Sequence, residues 1–291
     1  MRLLNQSGIG GGAAQYAEMD QLVEAQTVAQ SGWNYTSSSS YITLSFWIRA
    51  SVAQAYTVVM YTDDSTTRHY PFTVTLSANT WTKVEKAIPG YSGITINNDN
   101  GRGVRLTFIA AYGTNYTSNS GTLNSWNTTG NGLNRFPDVP TTWATTTNAT
   151  FDLTGVQLEV GSIATEFEHK SYAEELRLCQ RYFTYIPSGT VFAGRGASSS
   201  AYLYSYSTPV PLRASPAVDK NDDIAHGTFS IRRYRDSAGV SDSTNTPTTN
   251  STYFQPETCM ISLSQDGFTA VDDRSATLFM SGGAITLSAE I

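Results

Sequence analysis

Residues 151–183 read FDLTGVQLEVGSIATEFEHKSYAEELRLCQRYF, and this stretch decides the fold because it joins a regular strand pattern to a helix signal. Phe151 and Leu153 share one strand face, whereas Val156 and the two alternate apolar positions after it have the opposite parity. A β-bulge beside Gly155 would bring both sets onto the core side, because a bulge inserts one extra residue into a strand. The pattern therefore predicts one long, bulged strand.

A helix is predicted directly after this strand. Gly161 and Ser162 end the strand, and Ser171 followed by Glu174 forms the capping box that begins a helix. Pro187 ends a helix of about 13 residues, which carries one apolar stripe at helical spacing: Tyr172, Leu176, Cys179 and Phe183. Because a helix of this length is marginal alone, we expect the stripe to be buried, either around an oligomer axis or against the chain's own sandwich.

The chain before this stretch alternates apolar and polar residues as half-buried strands do. Residues 41–49 place four apolar side chains on one face: Ile42, Leu44, Phe46 and Ile48. Further strands are predicted at 56–61, 70–76, 81–88 and 104–110. Because no helix long enough for a βαβ crossover separates them, the pattern indicates an antiparallel β-sandwich or jelly roll.

Three segments of the first half lack this alternation. Residues 1–13 are rich in glycine and are expected to form no element alone. Residues 14–30 are expected to form a strand to about Ala25 and then a helical turn. The segment 112–148 is predicted to be a long loop that carries four aromatic residues: Tyr116, Trp126, Phe136 and Trp143.

These aromatic residues have two interpretations. In the first, they fill the open end of the sandwich, since a long loop in a compact domain is often packed on itself. In the second, Tyr116, Trp126 and Trp143 bind a sugar ring. The C–H groups of a sugar stack on aromatic faces, and neighbouring Asn and Thr side chains bond its hydroxyls. Both interpretations remain open from the sequence.

A second, smaller β module is predicted after the helix, with strands at 202–206, 228–234, 258–264, 267–272, 276–281 and 284–291. Residues 236–251 read DSAGVSDSTNTPTTNS and are predicted to form a polar loop, where a binding surface can vary without disturbing its scaffold. The predicted organisation is a jelly-roll-like sandwich, a connecting helix and a C-terminal β-rich module that carries any receptor-binding surface: 1–170, 171–185 and 186–291.

Composition excludes several classes of protein. The chain has 291 residues, a net charge of −6 and only 14% charged residues, so it lacks the basic face of a nucleic-acid-binding protein. No apolar run approaches the roughly 20 residues of a membrane helix, so membrane insertion is not expected. Cys179 and Cys259 do not make a disulfide framework and are expected to be small buried apolar residues.

The sequence contains no recognisable catalytic or metal-binding pattern. His69, His169 and His226 are far apart, none has metal-ligand spacing with a cysteine, and each is expected at the surface or at a cap. Nucleophile-elbow, zinc-protease and P-loop motifs are absent from the sequence. We therefore expect no enzymatic activity, no cofactor and no metal.

The stretch 151–183 resembles a segment of bacteriophage tail-fibre and minor virion structural proteins, with the form TGVQLExG…ATxFExxxYxxELxLCQRYF. SYITLSFWIRAS, RHYPFTVTLSANTWTKVEKAIPG, NGRGVRLTFIAAYG and the terminal ITLSAEI are also similar to that family. The resemblance covers roughly 14–185 well and the rest loosely. The chain departs from the pattern at Glu166, where proline is usual. The strands that usually open this module would precede Met1, so the first sandwich is expected to lack them.

The resemblance implies a non-enzymatic virion structural protein of tail-fibre type that attaches the particle to a host-surface glycan or protein. It implies a homotrimer, other virion proteins as partners, synthesis in the host cytoplasm and a final location in an external appendage of the virion. Two alternatives stay open: a decoration protein of the head or neck that binds no receptor, and a carbohydrate-binding module of a larger enzyme.

Overall fold

The computed structural model describes residues 1–117, 121–128, 136–187, 189–196, 201–214, 217–219, 229–233, 240–245, 249–255, 260–266, 275–280 and 285–289. Within these ranges it contains antiparallel sheets and three short helices, so the predicted all-β class is confirmed. The chain divides into two compact units, Met1–His169 and Lys170–Glu290. The helix that was predicted as a separate segment at 171–185 belongs to the second unit.

The described part of the first unit contains these elements: β1 Arg2–Asn5, β2 Tyr16–Glu24, α1 Ala25–Ala29, β3 Tyr41–Ala50, β4 Gln54–Thr62, β5 Arg68–Leu76, β6 Thr82–Pro89, β7 Arg102–Tyr112, β8 Asn127–Thr128, α2 Thr142–Thr145 and β9 Ala149–Val160. They form a four-stranded sheet in the order β1-β9-β3-β6 and a five-stranded sheet in the order β2-β7-β4-β5-β8. The strands predicted from alternation are all present, and so is the strand followed by a helical turn at 14–30.

The two sheets pack face to face over an aromatic core. Phe46 of β3 meets Phe108 of β7 edge to face with ring centroids 5.1 Å apart, and Tyr56 of β4 lies 5.3 Å from Phe151 of β9. The apolar face predicted for β3 is buried, since Leu44 and its neighbours on that face are at most 4% exposed. The first unit is therefore a β-sandwich.

The predicted bulge in β9 is confirmed. Ser45 of β3 pairs with Gln157, but Trp47 pairs with Thr154, so two residues of β9 face one residue of β3 at this point. Gly155 has a φ of +59°, in the left-handed region where glycine is favoured. Residues beyond the bulge pack partly against the core, although Val160 is 45% exposed and the predicted burial is wrong there.

The first residues form a strand, so the prediction that 1–13 contains no element is wrong. Arg2–Asn5 pairs antiparallel with residues 149–152 of β9. Asn5 is 4% exposed, and its side-chain amide donates to the carbonyls of Trp143 and Ala144 at 3.0 Å each. The segment is ordered by a partner about 150 residues away, which local glycine content does not reveal.

The second unit contains these described elements: α3 Tyr172–Gln180, β10 Phe183–Ile186, β11 Val191–Gly196, β12 Ala201–Ser207, β13 Ala217–Asp219, β14 Phe229–Arg233, β15 Val240–Asn245, β16 Thr249–Gln255, β17 Met260–Asp266, β18 Ser275–Met280 and β19 Ile285–Ser288. They form a three-stranded sheet in the order β10-β19-β13 and a seven-stranded sheet in the order β15-β14-β18-β11-β12-β17-β16. The strand predicted at 267–272 lies outside the described residues.

The polar segment 236–251 was predicted to be a loop, and this prediction is wrong where the structure describes it. β15 runs through 240–245, and β16 begins at Thr249. These two strands form the two edges of the seven-stranded sheet. Edge strands are commonly polar, so the Ser and Thr residues that suggested a loop fit this position.

Candidate functional site

Trp143 is buried in the core of the first unit and offers no face to a ligand. Its side chain is 2% exposed, and it belongs to the main apolar cluster. Its indole N–H donates to the carbonyl of Thr150 at 3.1 Å, and its backbone N–H donates to the side-chain oxygen of Gln54 at 3.1 Å. The prediction that Trp143 binds a sugar is therefore wrong, because its ring fills the sandwich.

The other two predicted sugar-binding residues pack separately. Trp126 lies partly buried against the core, 5.5 Å from the ring of Tyr70, and its indole N–H donates to the carbonyl of Pro89 at 2.6 Å. Tyr116 belongs to a second apolar cluster, where its ring lies 5.4 Å from that of Tyr112. The structure therefore does not bring the three predicted residues together on one surface.

Phe136 covers the outer face of the five-stranded sheet. It is fully buried and stacks on Tyr112 with centroids 5.7 Å apart, beside Val59 and Ile109. Val59 and Ile109 alternate with core residues along β4 and β7, so they point away from the sandwich interior. The prediction that Phe136 fills the open end of the sandwich is wrong, since it shields a sheet face instead.

The histidines and cysteines do not form a site. His69 is fully buried, so its predicted surface position is wrong, whereas His169 is exposed; Cys179 is exposed rather than buried. His226 and Cys259 lie outside the described residues. Within the described ranges, no group of three or more His, Cys, Asp or Glu side chains is arranged to hold a metal ion. In the same ranges, no helix has the length and apolar character needed to span a membrane.

The helix α3 differs from its prediction in length and in burial. The predicted cap is present, since the hydroxyl of Ser171 accepts from the backbone N–H of Glu174 at 3.3 Å. The helix has nine residues and ends before Phe183, which begins a strand, and none of its residues is buried. Tyr172 is 81% exposed and Leu176 is 41% exposed. The apolar stripe is thus shorter than predicted and faces outward.

Three exposed aromatic residues lie on the outer face of the four-stranded sheet: Trp81, Trp47 and Phe167, here named the aromatic strip. The two tryptophans are each 41% exposed and Phe167 is 44% exposed. Trp47 of β3 is paired with Lys83 of β6, one residue pair before the end of the β3–β6 ladder. The guanidinium of Arg49 lies 4.9 Å above the Trp81 ring, so Trp81 shares the face of Trp47 and Arg49.

The bulge in β9 lies beside two of these rings, those of Trp47 and Phe167. A β-carbon built on Gly155 would lie 3.4 Å from Cδ1 of Trp47 and 3.8 Å from Cδ2 of Phe167. Both rings therefore border the same glycine, where the sheet surface carries no side chain. The aromatic strip crosses the sheet from the start of β6, over β3, to the bulge of β9.

Hydrogen bonds from β9 hold the segment that carries Phe167. The Gln157 side chain donates to the Thr165 hydroxyl at 3.1 Å and accepts from the backbone N–H of Glu168 at 2.8 Å. The Glu159 carboxylate accepts from the backbone N–H of Thr165 at 2.8 Å. The hydrogen bond from the Thr165 hydroxyl lowers the pKa of Glu159, opposed by its partial burial. Phe167 is therefore positioned by hydrogen bonds to the residues before and after it in the chain, Thr165 and Glu168.

Ion pairs border the aromatic strip. Asp152 is bonded to Arg2 at 2.6 Å and to Arg49 at 2.8 Å, and its side chain is only 6% exposed. Lys83 pairs with Glu85 at 2.7 Å. The hydrogen bond from Arg2 lowers the pKa of Asp152, opposed by burial and reinforced by Arg49. The charges near the strip are thus largely matched with each other.

Sequence reasoning did not identify Trp47 as a site residue. The available signal was a tryptophan between Ser45 and Arg49, on the parity opposite to the buried residues. Large aromatic side chains at outward positions of a half-buried strand mark candidate binding surfaces. Trp81 is the first residue of the strand predicted at 81–88, but the structure begins β6 one residue later, at Thr82. Phe167 lies in the segment between β9 and α3, where alternation gives no prediction.

A comparison with known protein-family models finds none that matches the chain, and a search of curated proteins likewise finds no match.

Proposed function

We propose that this chain is a non-enzymatic structural protein of a bacteriophage virion, of tail-fibre type, which helps to attach the particle to the host surface. The observation that carries the proposal is the stretch 151–183, whose residues resemble a long segment of that family. The bulge at Gly155 and the cap at Ser171 support it, because they give this segment a defined local structure.

We further propose that copies of the chain associate into a homotrimer through α3. A nine-residue helix with no buried residue is marginal in water, and its apolar stripe therefore needs a cover. The strand that follows adds two more apolar side chains, since Phe183 is 43% and Tyr185 is 51% exposed. A symmetric oligomer covers such a surface on every copy at once.

Light scattering on matched variants tests the association. Leu176 lies on the apolar stripe, whereas Leu178 lies on another face of the same helix and is comparably exposed, at 46% against 41%. We expect Leu176→Glu to dissociate the oligomer and Leu178→Glu to leave it intact, with both variants folded. A monomeric wild-type chain, or equal effects of the two variants, would contradict the homotrimer.

Antibody labelling of purified virions tests the position of the protein. We expect an antibody to this chain to label a tail appendage and to reduce adsorption of the particle to host cells. Labelling of the head or neck without an effect on adsorption would indicate a decoration protein. A chain that is absent from the particle would overturn the proposal and favour a carbohydrate-binding module of an enzyme.

A further inference from the structure

We propose that the aromatic strip, Trp81, Trp47 and Phe167, binds an uncharged glycan whose sugar rings stack on the two tryptophans. The inference rests on the proposed function, since it names a surface and a ligand class for host attachment. It replaces the loop residues that the sequence suggested, because one of those is buried and the others pack apart from each other.

Exposure and rigidity distinguish the aromatic strip from the structural aromatics of the sandwich. Trp143 and Phe151 are at most 2% exposed, whereas Trp47 and Trp81 are each 41% exposed. Arg49 lies over one ring, and the backbone of the bulge lies beside the other. A ligand that stacks on these rings therefore meets side chains that are already held in place, which lowers the entropic cost of binding.

The size of the strip favours a narrow ligand over a protein partner. At 41% exposure each tryptophan presents roughly 100 Å² of surface, so the three rings together present roughly 300 Å². A stable protein interface buries about 800 Å² on each partner. The ion pairs on both sides of the strip, Asp152 with Arg49 and Lys83 with Glu85, limit its apolar width. A sugar chain fits a strip of this shape.

The charges beside the strip indicate an uncharged glycan. Three cationic side chains, Arg2, Arg49 and Lys83, are bonded to acidic partners. An acidic polysaccharide would have to compete with those carboxylates for the same guanidinium and ammonium groups. Bonded side chains of this kind still offer lone pairs and N–H groups at their edges, and such groups bind sugar hydroxyls.

A glycan array with the full-length chain, followed by calorimetric titration, tests the inference. We expect binding to neutral oligosaccharides and not to sulfated or sialylated ones, and at least about a tenfold loss of affinity in both Trp47→Ala and Trp81→Ala. Tyr41→Ala is the matched control, since Tyr41 is a 36% exposed aromatic residue at the other end of β3. All three variants are expected to stay folded and to unfold within about 4 °C of the wild-type Tm.

Each outcome decides one of the two proposals. If both tryptophan variants bind glycan like the wild type, or if no glycan binds, the inference is wrong even when the chain still adsorbs to host cells. If glycan binding depends on the tryptophans but host cells do not bind the chain, the inference stands and the attachment function fails. If Trp47→Ala instead changes the oligomeric mass, the strip is a contact between copies and the inference is overturned.

Discussion

Replacing Trp143 with alanine is expected to destabilise the first unit strongly. The indole ring is 2% exposed and packs within the main apolar cluster. Truncating a buried aromatic residue to alanine costs about 3–5 kcal/mol, because transfer free energy is lost and a cavity remains. The hydrogen bond adds little, since the carbonyl of Thr150 still accepts from the backbone N–H of Ser51 at 3.0 Å. The cavity therefore dominates the change.

Scanning calorimetry converts this estimate into a measurable shift. The first unit spans residues 1–169, and for domains of about 150–250 residues each kcal/mol lowers the Tm by roughly 2–4 °C. Trp143→Ala is thus expected to lower the Tm of this unit by roughly 6–20 °C. Circular dichroism in the far ultraviolet is a suitable second probe, because removing a tryptophan alters the fluorescence signal itself.

Trp47→Ala is the matched control for this prediction. It makes the same chemical change in the same unit, but at a side chain that is 41% exposed. A surface change of this kind is expected to alter the free energy of unfolding by about 1 kcal/mol or less. If the two variants lose equal stability, or if Trp143→Ala loses less than about 1 kcal/mol, the assignment of Trp143 to the core is refuted.

Three further predictions concern polar and backbone features of the first unit. Asn5→Asp is expected to destabilise more than Asn5→Ala, which costs about 1–3 kcal/mol, because a buried carboxylate would face carbonyl oxygens; urea unfolding at pH 7 measures both. Gly155→Val is expected to cost about 1–2 kcal/mol from its left-handed φ, and Gly155→Asn less, by the same assay. The pKa of Asp152 is lowered in the fold, so its stabilising effect is present above about pH 4 and is lost as the pH falls further. Asp152→Asn should therefore be less stable at pH 7 but lose less stability on acidification to pH 3, and parallel pH profiles of the two proteins would contradict this reasoning.

Features set by local periodicity could be predicted from the sequence. The alternation in β3 identified the buried set around Leu44 and Phe46, and the change of parity before Val156 located the bulge at Gly155. The cap at Ser171 was equally local, because it depends on residues three positions apart. In each case the physical cause lies within a few residues, so the pattern contains it.

Features set by distant partners could not be predicted. Arg2–Asn5 is a strand only because residues 149–152 pair with it. Phe183 continues the helical spacing of α3, but it also begins an alternating strand that pairs with β19, and the pairing prevails. The sequence around Trp143 and Trp47 does not show which of the two is buried, because only the packing of the two sheets buries one and exposes the other. The candidate site was missed for that reason.

The pairing of β1 with β9 has a consequence for biosynthesis. Arg2 pairs with Asp152, 150 positions later in the chain, and the ribosome adds about 5–20 residues per second. The four-stranded sheet therefore stays incomplete for roughly 8–30 s after Arg2 has been made. Until β9 is made, β3 lacks one of its two neighbours, so one of its strand edges is open to other nascent chains. Newly made copies of this protein are thus most prone to pair wrongly with each other before β9 leaves the ribosome. The yield of correctly folded chain should therefore depend on growth temperature and on the supply of chaperones.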